Sequence, residues 1–190
     1  MSAIIDISLA TVPLAAYTDK SKALSDYIDS LVECGVDFFE ISASVLPLLE
    51  GKDLSKRFIL RISTLADLEI CRKIKFAYVS MSINLSCFYE EISTHNRIIA
   101  EVRADRYSAP AVLLYASSEK NLPYISMIRV VGCSVTSDGK STTELVNWFR
   151  KRCMTPIDIC PLNCHMTGFI CAAAAVKAGA DAITLSYGCD

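Results

Sequence analysis

The sequence predicts an abbreviated (β/α)8 barrel, a TIM-type fold with some helices short or missing. Three observations carry that prediction. Strand-like and helix-like segments alternate from end to end, eight strand candidates can be laid out, and one βα junction is written twice. The two copies are Glu33-Cys-Gly-Val-Asp-Phe-Phe-Glu-Ile-Ser42 and Lys177-Ala-Gly-Ala-Asp-Ala-Ile-Thr-Leu-Ser186. Each is a helix end, a glycine cap, an aspartate turn and an apolar strand. An open parallel α/β sheet is the alternative, because 190 residues fall slightly below the usual barrel length. Residues 1–190 read as a single barrel-like domain.

Residues 4–8 begin as a strand, and Thr18 opens an amphipathic helix with Leu24, Tyr27, Ile28, Leu31 and Val32 on one face. Gly35 stops that helix and 38–42 is the next strand. Residues 44–56 make a poor helix, interrupted by Pro47 and Gly51, before a strand over 58–62. Thr64 with Asp67 forms a capping box for a helix carrying Leu65, Leu68, Cys71 and Ile74. Residues 76–83 are a strand, followed by a helix with Phe88, Ile92, His95, Ile99 and Val102 on one side, His95 packed among apolar neighbours. The fifth strand is placed at 111–116 and the sixth at 125–131, with little room for a helix between them. Ser141 and Glu144 read as a second capping box, opening a helix through Trp148 to Arg152, with Trp148 and Phe149 as packing residues. The last strands fall at 157–161 and 182–186, with an alanine-rich helix over 168–178 between them and none after. A barrel without its last helix exposes outer sheet face, so a homo-oligomer or a covering partner is expected.

Composition narrows the function. The chain is 52% hydrophobic, with 19 Lys plus Arg against 21 Asp plus Glu and a net charge of −2. That balance argues against a nucleic-acid or membrane-surface binder. The longest apolar run, 169–176, is too short to span a bilayer, and no basic segment followed by an apolar one marks a signal peptide. Nine cysteines, an odd number with no C-x-x-C spacing, predict reduced thiols in a cytoplasmic protein.

In a parallel barrel the chemistry belongs at the C-terminal strand ends. Asp6 and Glu40 fall there as carboxylates inside apolar strands, each open to a structural or a catalytic reading. Cys160, Cys164 and His165, with Cys153 nearby, form the densest soft-donor cluster, open to a metal, a nucleophile or plain buried thiols. Apart from Lys120 no lysine sits at a strand end, which leaves Schiff-base chemistry little to use, and no glycine-rich loop cradles a phosphate.

Asp6-Ile-Ser-Leu-Ala-Thr-Val-Pro-Leu14 resembles the opening strand of the homocitrate synthase, isopropylmalate synthase and HMG-CoA lyase superfamily, D-T-T-L-R-(D/E)-G-x-Q. Residues 164–181 resemble its H-x-H-N-D-x-G strand and the small-residue helix that follows. Gly35-Val-Asp-Phe-Phe-Glu40 is similar to its G-V-D-x-I-E, and Leu114-Tyr-Ala-Ser-Ser-Glu119 to its V-R-F-S-S-E. The resemblance implies a TIM barrel that joins an acyl-CoA to a 2-oxo acid, or cleaves the reverse bond, on a divalent metal. Residue by residue the machinery is missing. The enolate-stabilising arginine is Ala10, its neighbouring acidic ligand Thr11, the two histidine ligands Leu162 and Cys164, and the arginine of R-F-S-S-E is Tyr115. The glycine-rich segment with a further asparagine ligand would begin near Gly188. Asp6, Glu40 and Gly168 remain, and a one-residue slip returns His165.

The resulting expectation is a diverged, non-catalytic or accessory barrel with no cofactor, partnered by itself or by a larger synthase-like subunit and open to a small-molecule ligand. One alternative is an acyltransferase or lyase with Asp6, Glu40 and His165 in a rearranged site, using a divalent metal if active. Another is a thiol or metal-binding protein with Cys164 and His165 as ligands.

Overall fold

In the computed structural model of the chain, residues 1–11, 21–103, 122–132, 139–161 and 167–185 are described. Eight parallel strands close into a barrel in chain order: β1 Ala3–Asp6, β2 Phe38–Ile41, β3 Phe58–Ile62, β4 Tyr78–Ser82, β5 Ile98–Arg103, β6 Ile125–Val131, β7 Ile157–Cys160 and β8 Ala182–Leu185. β8 pairs with β1, so the sheet is a (β/α)8 barrel and the open-sheet alternative falls away. The α-helices among the described residues are α1 Ser8–Thr11, α2 Ser21–Glu33, α3 Leu54–Arg57, α4 Leu65–Lys73, α5 Tyr89–Ser93, α6 Gly139–Arg150 and α7 Gly168–Lys177. Among the described residues no helix is long and apolar enough to cross a membrane.

Side chains on one face of each strand fill the barrel, and those on the other pack under the helices. The outer layer holds Phe39, Ile41, Leu60, Val79, Ala100, Ile128 and Ile159, and the helices cover it with Ile28, Leu68, Ile92, Val146 and Ala175. The inner layer holds Ile5, Ile59, Ile99, Met127, Val131, Cys160 and Ala182, with Phe38 and Tyr78 against them. The Phe38 and Tyr78 rings meet edge to face, their centroids 5.5 Å apart.

The repeated junction is repeated in atoms as well as letters. Gly35 and Gly179 sit at φ 91° and 90°, a conformation that favours glycine at C′. Val36 N–H donates to Leu31 O as Ala180 N–H does to Ala175 O, at 2.9 and 3.0 Å, the signature of the Schellman motif. The aspartate two residues on then ties the new strand to the preceding one. Asp37 Oδ2 accepts from Ile4 N–H at 2.9 Å, and Asp181 Oδ2 from Ile157 N–H at 2.8 Å.

Four sequence expectations change. The first strand ends at Asp6, because its carboxylate accepts from both Ser8 N–H and Ser8 Oγ–H and turns the chain into α1. The long helix through Val102 is two elements. α5 stops at Ser93, where Ser93 and Thr94 hydroxyls bond back to Glu90 O and Glu91 O, and Ile99 and Val102 belong to β5. His95 is therefore an exposed turn residue rather than a packed one. The eight strands of the barrel do not include 111–116, which lies outside the described residues, and the β-branched run 98–102 supplies the fifth strand instead. Ser141 lies inside α6, which already begins at Gly139, so it is no N-cap; Gly139 there meets Ile170 so closely that a Cβ would come within 3.0 Å of its Cγ2.

Candidate functional site

Two residues beyond the level of Phe38, Ile59, Ile99 and Met127, and two before Val131 and Cys160, the same strand faces carry a belt of charge. Glu40, Arg61, Glu101, Arg129 and Asp158 come from β2, β3, β5, β6 and β7, and Ser80 and Thr184 from β4 and β8. Each stands two residues beyond an inward apolar side chain: Phe38, Ile59, Ile99, Met127, Tyr78 and Ala182 have these as their i+2 neighbours, the β7 aspartate excepted. The strand pairing sets them side by side, Glu101 beside Arg129, Arg129 beside Asp158, and Arg61 beside Ser80.

Arg129 is the hub. Its Nε donates to Asp158 Oδ2 at 2.5 Å, and its Nη1 donates to Glu40 Oε2 and, at 3.3 Å, to Glu101 Oε1. Asp158 Oδ2 also accepts from Thr184 Oγ1 at 2.6 Å. Burial opposes the guanidinium's charge, but Glu40, Asp158 and Glu101 together hold its pKa well above the usual value. Glu40 responds the other way. Its complete burial raises its pKa despite the attraction of Arg129, and the Glu101 charge adds to the rise. Three carboxylates face two guanidiniums in the belt.

The belt is incompletely satisfied. Glu40 Oε1, Ser80 Oγ, Arg129 Nη2 and Asp158 Oδ1 are buried without a hydrogen-bond partner among the described residues. Arg61 is its accessible member. Its guanidinium lies 3.7 Å from Glu40 Oε1 and 3.7 Å from Glu101 Oε2, attracted but beyond hydrogen-bond reach, and its side chain stays 28% exposed against 13% for Glu101. The apolar layer of Ile59, Ile99, Met127, Phe38 and Tyr78 lies on the N-terminal side of the belt.

The sequence-derived candidates separate in space. Glu40 is in the belt, fully buried beneath Arg61 and Arg129. Asp6 does not line the barrel: Ile5 and Ile7 on either side of it do, and Asp6 pairs in register with the outward Phe39. Its pKa is raised by burial, against the pull of the Ser8 hydroxyl and N–H. Cys153 packs in the outer layer and Cys160 in the inner one, so these two thiols do not meet. Burial drives the Cys160 thiol far above its ordinary pKa, which removes it as a nucleophile at neutral pH. Cys164, His165, Leu162, Tyr115, Lys120 and Gly188 lie outside the described residues.

A divalent metal of the kind the resemblance implies does not fit the described donors. Asp6 and Glu40 project from opposite faces of the sheet, and Glu40 is committed to Arg129. Among the described residues no three His, Cys, Asp or Glu side chains converge on one point.

The fold and the belt together define a closed parallel (β/α)8 barrel with a charged interior. Solved structures of the same architecture resemble it over nearly its whole length. The N-terminal domain of a putative aldolase from Bacteroides vulgatus matches with a TM-score of 0.73 at 16% identity, covering 97% of this chain and 72% of that one. The carboxyl transferase domain of Rhizobium etli pyruvate carboxylase matches with a TM-score of 0.71 at 12% identity, covering 98% of this chain and 40% of that one. The same domain with pyruvate and biocytin matches with a TM-score of 0.72 at 12% identity, over 98% and 40% of the two chains. At such identities the likeness is one of fold. The sequence matches no family model and no curated protein.

Proposed function

We propose that the chain is a diverged barrel, related to the homocitrate synthase-like and carboxyltransferase barrels, that binds a small 2-oxo acid without metal-dependent condensation. The observation carrying this reading is Arg61: a guanidinium part-exposed above the belt, with two carboxylates near it and a hydrogen bond to neither. Its planar fork suits the bidentate grip of an incoming carboxylate. Arg129 holds Glu40 and Asp158 behind it. Glu40 is thus a positioning residue, too deeply buried to touch a reacting carbon. The likeness to a domain whose structure contains pyruvate supports the same ligand class. The alanine and threonine at positions 10 and 11, where the condensing enzymes carry arginine and an acid, support the loss of their chemistry.

Calorimetric titration with pyruvate, 2-oxobutyrate and 2-oxoglutarate tests the reading. Saturable binding of one of them, weakened about tenfold or more in Arg61→Gln, is the expected result. No binding across the three, or equal binding by the variant, overturns it.

A second reading, an accessory subunit, draws on a separate observation. Phe169 and Val176 on α7 are 81% and 49% exposed, and Ile4 and Leu185 on the paired strands of the β1–β8 seam are 37% and 41% exposed. Native mass spectrometry that finds only monomer, with no synthase-like partner from the source cells, removes it.

A further inference from the structure

At the opposite end of the barrel, where β4, β5 and β6 begin, lies a cavity of about 460 Å³. Lys75, His95 and Arg97 line it, together with Tyr124 and Ser126 and a floor that includes Phe76. No carboxylate appears in its wall among the described residues. We infer that this cavity is a binding site for a compact phosphate-type anion, free or carried by a small metabolite.

The cations are placed rather than scattered. Arg97 Nε donates to Ala77 O at 3.2 Å, and its guanidinium lies over the Tyr78 ring at 4.0 Å. Those two contacts fix the plane of the group while leaving both terminal nitrogens without a partner among the described residues. Lys75 has none there either, and a pliant ammonium beside a fixed guanidinium is a common way to hold phosphate oxygens. The hydroxyl proton of Thr94 is spent on Glu91 O at 2.7 Å, so Thr94 Oγ1 accepts from His95 Nδ1–H at 2.8 Å. That contact orients the imidazole and makes Nε2 of the neutral ring an acceptor, which suits only the P–OH of a hydrogen phosphate and leaves the bare oxygens to Lys75 and Arg97.

The wall is rigid where it needs to be. Asn96 accepts from Phe76 N–H at 2.8 Å and donates to Cys71 O at 2.9 Å, both buried, pinning the segments that carry Lys75 and Arg97. Nearby carboxylates are already engaged: Glu91 by Arg72 at 2.5 Å and Asp53 by Lys56 at 3.2 Å. The volume falls within the range of small-molecule pockets. The apolar side chains Ile59, Ile99 and Met127 lie between the level of this cavity and the charged belt.

The test is calorimetric titration of the whole chain with inorganic phosphate and, separately, with glycerol phosphate. Saturable binding is expected, about tenfold weaker in Lys75→Ala and in Arg97→Gln and unchanged in the distant surface variant Lys22→Ala. Tighter binding of the ester assigns the site to a phosphorylated metabolite, and equal binding assigns it to the phosphate group alone; both support the inference. Because Lys75 has no structural partner among the described residues, Lys75→Ala decides the matter should Arg97→Gln fail to fold. Absence of saturable binding to either probe, or the same affinity in Lys75→Ala as in the parent, overturns it.

Discussion

At one level of the barrel interior the inward side chains are Ile59, Ile99 and Met127; two residues further along the same strands they are Arg61, Glu101 and Arg129. The strands and the inward direction are the same, yet the energetic logic reverses. The apolar level gains from leaving water and from close packing. The charged level loses solvation for every group it buries and recovers it only through mutual pairing. A barrel built for stability alone has no reason to prefer the second arrangement, so the belt is where a selective purpose is to be sought.

The sharpest way to break that comparison is Arg129→Ala. It strands Glu40 and Asp158 in the interior, and a loss of about 3–5 kcal/mol is expected by urea denaturation. Ile99→Val, at the apolar level, should cost only about 1 kcal/mol. Adding Glu40→Gln and Asp158→Asn to an Arg129→Met background should recover much of the larger loss. If it does not, the cost comes from packing and the distinction between the two levels fails.

Glu40→Gln alone sharpens the comparison through pH. The folded pKa of Glu40 is raised by burial above the 4.5 of a free glutamate. Its contribution to stability is therefore fully present below pH 4.5 and is lost as pH rises through the raised value. Glutamine has no such loss, so the variant should gain on the parent as pH climbs from acid toward neutral. Denaturation midpoints measured across that range check it; a constant difference would show that Arg129 fully offsets the burial.

The smallest effects belong to the twin turns. Asp181 accepts from Ile157 N–H and also meets Arg150 Nη2 at 2.6 Å, whereas Asp37 serves Ile4 N–H from a more exposed position. Asp181→Ala should cost about 1–2 kcal/mol and Asp37→Ala about 0.5–1 kcal/mol. Equal losses in thermal melts would mean that Arg150 contributes nothing at its surface position.

The barrel is legible in the sequence because its signals are local: a glycine past a helix end, an aspartate, then an apolar run. β3 and β6 can be bounded by eye for that reason. β5 cannot. Phe88, Ile92, His95, Ile99 and Val102 satisfy helical spacing, and only the serine and threonine back-bonds after Ile92 show where the helix stops. Glu40 is legible as a charge inside an apolar strand. Arg61, Arg129 and Asp158 carry the same mark but escape notice, since a strand charge normally faces water, and Glu101 is hidden because its segment reads as helix. The signal that finds most of them is a charge two residues after an inward apolar side chain, repeated on several strands. Asp6 carries the first mark but not the second, and it faces outward.

The closure of β8 onto β1 has a kinetic side. Ala3 N–H donates to Asp181 O at 2.8 Å, and Ser2 Oγ to Ala180 O at 2.5 Å across 178 positions of sequence. No strand pairing in the barrel spans a longer loop than this seam, and loop closure must precede the contacts that reward it. A chain synthesised from its N-terminus therefore holds β1 with one unpaired edge until β8 has been made. During that interval Ile4 and Ile5 form an open apolar strand, and the crowded cell, rather than the finished barrel, presents the fold with its hardest test.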